Sequence, residues 1–229
     1  MSIVQFSADL FLNEVMPDVP SCPSAIVVNA IRNAAIEFCQ KSLVWRQELD
    51  PVNVYQGQDV YDLDGMPGGS VIERILTLYY LGRKLTPQGM DALDAKRKLA
   101  AVSKAASVSG NPTDLTYVPP VVTEYGQNSP TQVVLYGMPD GNFIGGLVMN
   151  CVLMPARTSL GIDSSVTDRY LDGIVQGAKA RLMLIPKKPW SDAALAAYHK
   201  GEAHKILSNA KAEAAQGFGR APIRVAMYR

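Results

Sequence analysis

The two histidines are the residues best suited to bind a metal ion or to move a proton. His199 and His204 are five positions apart, and on an α-helix this separation turns them roughly 140° away from each other. Two histidines that share a metal ion on one helix face lie three or four positions apart. We therefore interpret both as solvated histidines on a helix surface, and we expect the protein to bind no metal.

Carboxylates form the other candidate cluster. Asp59, Asp62 and Asp64 lie close together in a predicted hairpin, and grouped carboxylates suit Ca²⁺. The ordered glycine and the closing glutamate of an EF-hand are missing, so the sequence predicts an acidic, solvated hairpin tip. The glycine-rich segment 65–69 lacks the GK[ST] of a phosphate-binding loop and predicts a flexible loop. No serine-nucleophile motif is present either, so we expect no enzymatic activity and no cofactor.

Composition argues against several classes of partner. The chain has 229 residues, of which 48% are hydrophobic and 19% charged, and its formal net charge is +1. No global field therefore favours nucleic acid or an anionic membrane. Cys22, Cys39 and Cys151 include no CxxC pair, which predicts reduced, buried thiols. The first residues lack the basic region of a signal peptide, and the longest apolar runs are too short to span a bilayer.

Helical periodicity marks the first part of the predicted core. A helix is predicted over about 24–42, with Ser24 as its N-cap and apolar residues along one face. Before it, residues 1–23 contain three acids and no base, and they predict a loose arm with one short amphipathic helix. The Thr-Pro pair at 86–87 predicts the start of another helix that ends near Ser107, because proline is favoured at the first helical position.

This second predicted helix carries a basic cluster. Lys96, Arg97 and Lys98 are consecutive and have no interleaved aromatic residues, so a solvated helix face is favoured over a nucleic-acid site. In an assembly, the three bases would face an acidic surface, such as the hairpin with Asp59, Asp62 and Asp64 of a neighbouring copy.

The last third of the chain predicts two helices joined by a stiff corner. Apolar residues recur at helical spacing over 165–185, and prolines then stop the helix. Ser191 suits the N-cap of the next helix, which lets Trp190 pack on Leu195 one turn in. We expect Trp190→Ala to lower the melting temperature more than Tyr228→Ala does. The predicted corner comprises Pro186, Pro189, Trp190 and Leu195.

Two small residues in the first of these helices allow another helix to approach closely. Gly173 and Gly177 are four positions apart, and glycine in a soluble helix costs up to about 1 kcal/mol relative to alanine, so a packing reason is expected. The partner of this helix face can be another part of the chain or a neighbouring subunit, and both interpretations stay open.

Together these patterns predict an α+β fold. It is a helical bundle, with one N-terminal and two long C-terminal helices, that carries an inserted β-rich domain and has extended termini. The predicted parts are an N-terminal arm at 1–23, the bundle at 24–42 and 164–216, a β-rich insert with one helix at 43–163, and a C-terminal tail at 217–229.

The tail is predicted to be extended. Gly217 and Gly219 end the final helix, and Pro222 prevents a new one. From Ile223 onward apolar residues alternate with others, as in a strand with one apolar face. Such a strand should add to a sheet or fill a groove of another chain with an acidic surface, whereas a frayed terminus is the alternative. The predicted docking residues are Arg220, Ile223, Arg224, Val225, Met227, Tyr228 and Arg229.

Several weak sequence blocks occur in a specific order and carry a resemblance over roughly 24–216. The order resembles that of tailed-bacteriophage head-to-tail adaptors, the connector proteins beneath the portal. The blocks are 31–39 followed by Trp45, 61–63 before the turn at 82–85, 110–112 before strands that end at 154–155, and 170–178 followed by 189–192.

The resemblance implies a structural virion protein of the phage neck, made in the host cytoplasm. It implies a homo-oligomeric ring, commonly of about twelve copies, that joins the portal to the downstream tail or nozzle protein. DNA would pass through the lumen without sequence-specific binding, and terminal segments would attach the ring to its neighbours. Two alternatives stay open: a phage tail-completion or tail-terminator protein, and a sugar-binding β module. The tyrosines available to such a module are Tyr79, Tyr80, Tyr125 and Tyr136.

Overall fold

The computed structural model describes residues 3–108 and 121–217, and over these residues the predicted fold class is wrong. The fold is α+β, but it is not a helical bundle with one β-rich insert, because its strands form three sheets and one sheet begins in the N-terminal segment. Strands of two or three residues show too little alternation to be recognised from their sequence. The helices are α1 (Asp9–Val15), a 3-10 helix (Met16–Asp18), α2 (Ser24–Ser42), α3 (Met90–Val108), α4 (Ser164–Met183) and α5 (Ala193–Gln216).

The strands of the described residues are mostly short. Two of them, one in each half of the chain, are longer than ten residues and form the middle of a sheet. The strands are β1 (Ile3–Gln5), β2 (Arg46–Glu48), β3 (Val52–Val54), β4 (Val60–Asp62), β5 (Ser70–Tyr80), β6 (Arg83–Lys84), β7 (Thr86–Pro87), β8 (Glu124–Ser129), β9 (Gln132–Tyr136), β10 (Phe143–Pro155) and β11 (Gly161–Asp163).

Pairing between these strands is mostly antiparallel. A two-stranded sheet pairs β1 with β11, with Val4 opposite Ile162. A five-stranded sheet has the order β2–β10–β5–β6, and β3 also pairs with β10. A four-stranded sheet has the order β4–β9–β8–β7, in which the β7–β8 pair is parallel. Strand β9 buries three consecutive residues, 133–135, as a strand covered on both faces does.

Internal contacts divide the chain into two units. The first unit takes its residues from 1–46, 67–73 and 152–229, and the second from 47–66 and 74–151. Helices α1, α2, α4 and α5 and the β1–β11 sheet therefore belong to the first unit. Helix α3 and the four-stranded sheet belong to the second.

The N-terminal segment is packed rather than loose. Phe6, Phe11 and Val15 are fully buried, and the rings of the two phenylalanines lie 6.0 Å apart between centroids. The Phe6 N–H donates to the carbonyl of Leu160 at 2.9 Å, next to the β1–β11 pair. Helix α1 packs on α2 and α4, which buries Phe11 and Val15 and leaves Leu10 46% exposed.

Two helix starts differ from the expected ones. Helix α2 spans the predicted residues, but its N-cap position is Pro23 rather than Ser24. Helix α3 begins at Met90 because the Thr-Pro pair before it joins a sheet as β7. The Thr86 N–H donates to the Thr123 carbonyl at 3.0 Å, and this tertiary bond outweighs the local preference for a helix start.

The paired glycines of α4 are used for packing within the chain. A Cβ on Gly173 would lie 2.7 Å from Cε2 of Phe38 in α2 and 2.9 Å from Cγ2 of Ile206 in α5. A Cβ on Gly177 would lie 3.3 Å from that of Ala34. The absence of these side chains lets α4 approach both neighbouring helices closely.

Candidate functional site

The corner between α4 and α5 buries one large aromatic side chain. Trp190 is 8% exposed. Asp192 rather than Ser191 is the N-cap of α5, because its carboxylate accepts two backbone N–H groups of the first turn at 2.9 Å each. The Asp192 N–H donates to the Met183 carbonyl at 3.1 Å, so the corner is closed onto the end of α4.

The other predicted corner residues lie on the surface. Pro186 and Pro189 are exposed, and Leu195 is 47% exposed. Because the N-cap is Asp192 and not Ser191, the fourth position of the helix is Ala196 rather than Leu195. This position commonly packs against the residues before the cap, and Ala196 is 1% exposed. Lys187 lies between the prolines with φ 61°, a left-handed value that long side chains seldom adopt. The prolines and Lys187 determine the path of the turn, and Trp190 is the large side chain of the corner that is buried.

A groove of about 320 Å³ lies between α2, α4 and α5 in the first unit, and we call it the three-helix groove. Its exposed end includes Leu184, which is 58% exposed. Concave apolar surfaces of this kind are typical of binding sites for a partner's side chains. The small and apolar lining residues are Ala34, Phe38, Gly173, Gly177, Ala180, Leu184, Ala203 and Leu207.

Basic residues also line the three-helix groove. Its one carboxylate, Glu37, binds both Lys41 and Arg181. The hydrogen bond from Lys41 lowers the pKa of Glu37, and Arg181 lowers it further against the effect of burial. Lys200 and His204 line the groove too, and neither makes an ion pair with a residue that the structure describes. The groove therefore favours a partner that carries negative charge.

An ion pair ties the N-terminal segment to α4. Lys179 Nζ lies 2.7 Å from Asp18 Oδ2, and the Lys179 side chain is only 10% exposed. His199 of α5 is 8% exposed, and its Nδ1 lies 2.5 Å from Oε1 of Gln176. The interpretation of His199 as a solvated histidine is therefore wrong, because its face of α5 packs on α4. His204 is exposed, as expected.

Acid is expected to destabilise the protein through His199. Burial lowers the pKa of His199, the Lys179 ammonium lowers it further, and the Asp18 carboxylate opposes the shift. The folded state thus binds fewer protons than the unfolded state, whose histidine has a pKa of about 6.5. The stabilising contribution is complete above that pH and is lost as the pH falls below it.

His199→Gln should therefore show a smaller loss of the free energy of unfolding than the parent when the pH falls from about 7 to about 5. Urea unfolding at each pH measures this difference. The exposed His204→Gln is the matched control and should keep the parent's pH dependence. Identical pH dependences for all three proteins would contradict the assignment to His199.

The thiols are free and buried, as the sequence predicts. Burial raises the pKa of Cys22 and Cys39, and it raises the pKa of Cys151 to about 12. Thiolate is the reactive form of cysteine, so these side chains are suited to packing rather than to chemistry at neutral pH.

In the second unit, the basic residues of α3 pair with carboxylates of the same chain. Arg97 binds the Asp59 carboxylate, and Lys96 Nζ lies 2.7 and 2.5 Å from the two carboxylate oxygens of Glu124. The expectation that these bases face the acidic hairpin of a neighbouring copy is therefore wrong for Lys96 and Arg97. Lys98 is exposed.

Asp59, Asp62 and Asp64 do not lie on the predicted hairpin, because β3 pairs with β10 and β4 pairs with β9. Asp62 and Asp64 are exposed, whereas Asp59 is held by the arginine. Across 3–108 and 121–217, no group of three or more His, Cys, Asp or Glu side chains is arranged to hold a metal ion. No helix in the same ranges has the length and apolar character needed to cross a bilayer.

The second unit exposes apolar side chains at two adjacent turns and at the start of β10. Ile144 is 96% exposed, Tyr55 53% and Met138 52%. The Gln56 N–H donates to Oδ1 of Asn142 at 2.8 Å, which brings the turns together. We call Tyr55, Met138 and Ile144 the apolar edge. Exposed apolar patches on folded proteins often mark sites of interaction with other proteins.

The predicted docking tail lies outside the described residues. Helix α5 ends at Gln216, and Gly217 follows with φ 70°, a helix-ending glycine as the sequence predicts. The role expected of the residues beyond it stays a prediction. These residues are Arg220, Ile223, Arg224, Val225, Met227, Tyr228 and Arg229.

The groove in one unit and the apolar edge in the other are surfaces of the kind that other proteins contact. The chain matches the SU10 adaptor protein family over residues 3–226, and it belongs to this family. It is therefore a phage adaptor and a structural component of the virion, which confirms the sequence resemblance at this level. Comparison with curated proteins gives no match.

Proposed function

We propose that this adaptor forms a homo-oligomeric ring in the phage neck, where it joins the portal of the capsid to the tail and lets DNA pass. The family match over residues 3–226 is the observation that carries this proposal. A connector between two other proteins needs more than one contact surface, and the three-helix groove and the apolar edge are candidates, one in each unit.

The low net charge of the protein is consistent with the proposed passage of DNA through the ring. A formal net charge of +1 supplies little of the electrostatic attraction that underlies sequence-independent DNA binding, so DNA would pass without being held. In this role the adaptor acts through binding rather than turnover, and it requires neither a cofactor nor a metal ion.

Native mass spectrometry and electron microscopy of the full-length chain, alone and mixed with its portal, test the proposal. We expect closed rings that stack on the portal and then accept the downstream tail or nozzle protein. A chain that stays monomeric in both conditions would contradict the proposed ring. Rings that bind the end of an assembled tail but ignore the portal would favour a tail-terminator protein instead.

Removal of the C-terminal tail is expected to leave folding intact and to weaken attachment to the portal. A chain that ends at Gln216 should melt near the parent temperature, because it keeps every buried core residue of the part of the chain that the structure describes. It should lose stable attachment to the portal, since an extended arginine-rich segment would contribute backbone hydrogen bonds and charge to that contact. Thermal melts and co-sedimentation with portal measure the two effects.

The milder variant of this experiment keeps the tail and replaces Arg220, Arg224 and Arg229 by glutamine. It should show intermediate attachment that is less sensitive to salt, because fewer charge contacts are made. Full occupancy of the portal by the truncated chain would show that the tail is not needed for docking.

A further inference from the structure

We propose that the three-helix groove of one subunit receives the outer face of helix α1 from a second copy of the chain. The inference rests on the proposed ring and names one contact between neighbouring copies in it. Two surfaces of the first unit are exposed and have complementary compositions.

The donor surface is the solvent side of α1. Leu10 is 46% exposed, and Glu14 is exposed one turn further along the same helix face. Asp9 is also exposed, and neither acid makes an ion pair with a residue that the structure describes. Asp9 lies about 140° from Glu14 round α1, so we call Leu10 and Glu14 the acidic face. It presents one large apolar side chain beside a carboxylate.

The acceptor surface has the complementary composition. The lining of the three-helix groove is apolar near Ala203 and Leu207, and Lys200 on the same helix brings a cation without a carboxylate partner among the described residues. The only carboxylate of the lining, Glu37, already binds two cations. A leucine beside a carboxylate thus fits the groove by both polarity and charge. The C-terminal tail, 218–229, has three arginines and no acid, and its charge does not fit.

The two surfaces lie on different sides of α4, so one copy cannot satisfy its own groove. The segment that follows α1 binds Lys179 through Asp18. Lys179 is two positions from Gly177 in the groove lining, which places it about 200° further round the helix. Contact between copies is therefore head-to-tail: each copy donates α1 to one neighbour and accepts it from the other. Contacts of this type close into rings when the rotation between copies allows it.

A charge-swap experiment on the full-length chain tests the contact. Glu14→Lys and Lys200→Glu should each raise the protein concentration needed for half assembly about tenfold, because each replaces an attraction by a repulsion. The double variant should restore assembly close to the parent level. Sedimentation velocity at two ionic strengths measures assembly, and thermal melts check that these exposed substitutions leave the fold intact.

Lys205→Glu is the matched control. Lys205 is on the same helix and its side chain is 71% exposed, but it lies five positions from Lys200 and about 140° away round α5. It should assemble like the parent.

Several outcomes would overturn the inference. Parent-like assembly of Lys200→Glu, or a double variant no better than the singles, would show that α1 does not occupy the groove while leaving the ring intact. Normal self-assembly with weakened portal binding would mean that the groove receives a portal segment. If the unmodified chain forms no ring alone or with portal, both the contact and the proposed function fail.

Discussion

Replacing Trp190 by alanine is expected to lower the free energy of unfolding by about 3–5 kcal/mol, the range typical of large aromatic residues in protein cores. The side chain is 8% exposed and lies where α4 turns into α5, so its loss leaves a cavity at the point that joins the two helices. The melting temperature should fall by roughly 2–4 °C for each kcal/mol lost. Urea and thermal unfolding followed by circular dichroism measure the change.

Three variants bracket this result. Leu195→Ala in the first turn of α5 is the matched control, because its side chain is 47% exposed and surface changes usually stay within about 0.5 kcal/mol. Tyr228→Ala, outside the described residues, should also have little effect. Trp190→Phe should cost less than alanine, since it keeps an aromatic ring and removes an indole N–H that has no hydrogen-bond partner among the described residues. A Trp190→Ala melt that coincides with the parent's would contradict a packed corner.

Gly173→Leu is expected to be the other strongly destabilising change, at about 3 kcal/mol, the upper end of the usual range for overpacking. A Cβ alone would lie 2.7 Å from the ring of Phe38 and 2.9 Å from the side chain of Ile206. Phe38 has little room to move because its ring packs on that of Tyr170, with centroids 5.5 Å apart. The larger side chain would therefore push α4 away from α2 and α5, and urea unfolding would show the loss.

Alanine substitutions at two helical glycines should differ in their effect on the free energy of unfolding. Gly201→Ala in α5 should stabilise by about 1 kcal/mol through helix propensity, because a Cβ there meets no atom within 4 Å. Gly173→Ala gains the same propensity but must displace packed side chains, so it should be the less stable of the two variants. Equal stabilisation by both substitutions would show that α4 is not closely packed at Gly173.

Local signals located some parts of this structure well. Helix α2 spans the predicted residues 24–42, because its apolar face repeats over five turns and does not depend on distant partners. The short strand β1 could not be located in this way, since three residues show no clear alternation and its partner β11 lies far along the chain. Residues 86–87 carry a helix-start signal, yet pairing with β8 makes them a strand.

The same difference between local signals and tertiary contacts applies to the candidate site. Trp190 could be singled out from its place after two prolines, but the cap at Asp192 could not, because adjacent Ser and Asp are both good N-caps and the fold selects between them. Lys200 and Glu14 carry no sequence signal at all. They become candidate contact residues only because the fold places Lys200 beside an apolar groove and Glu14 on an exposed helix face.

By itself, the sequence determined helix α2, whose apolar periodicity lies within one continuous segment, and the class of phage adaptor, whose sequence blocks follow one another in a specific order over 24–216. Only the tertiary structure decided which charges are already paired, as Arg97 is with Asp59, and which surfaces stay open. It also decided that the N-terminal segment packs on α2 and α4. The physical reason is that burial and charge pairing depend on which distant residues meet, and local periodicity carries no information about those meetings.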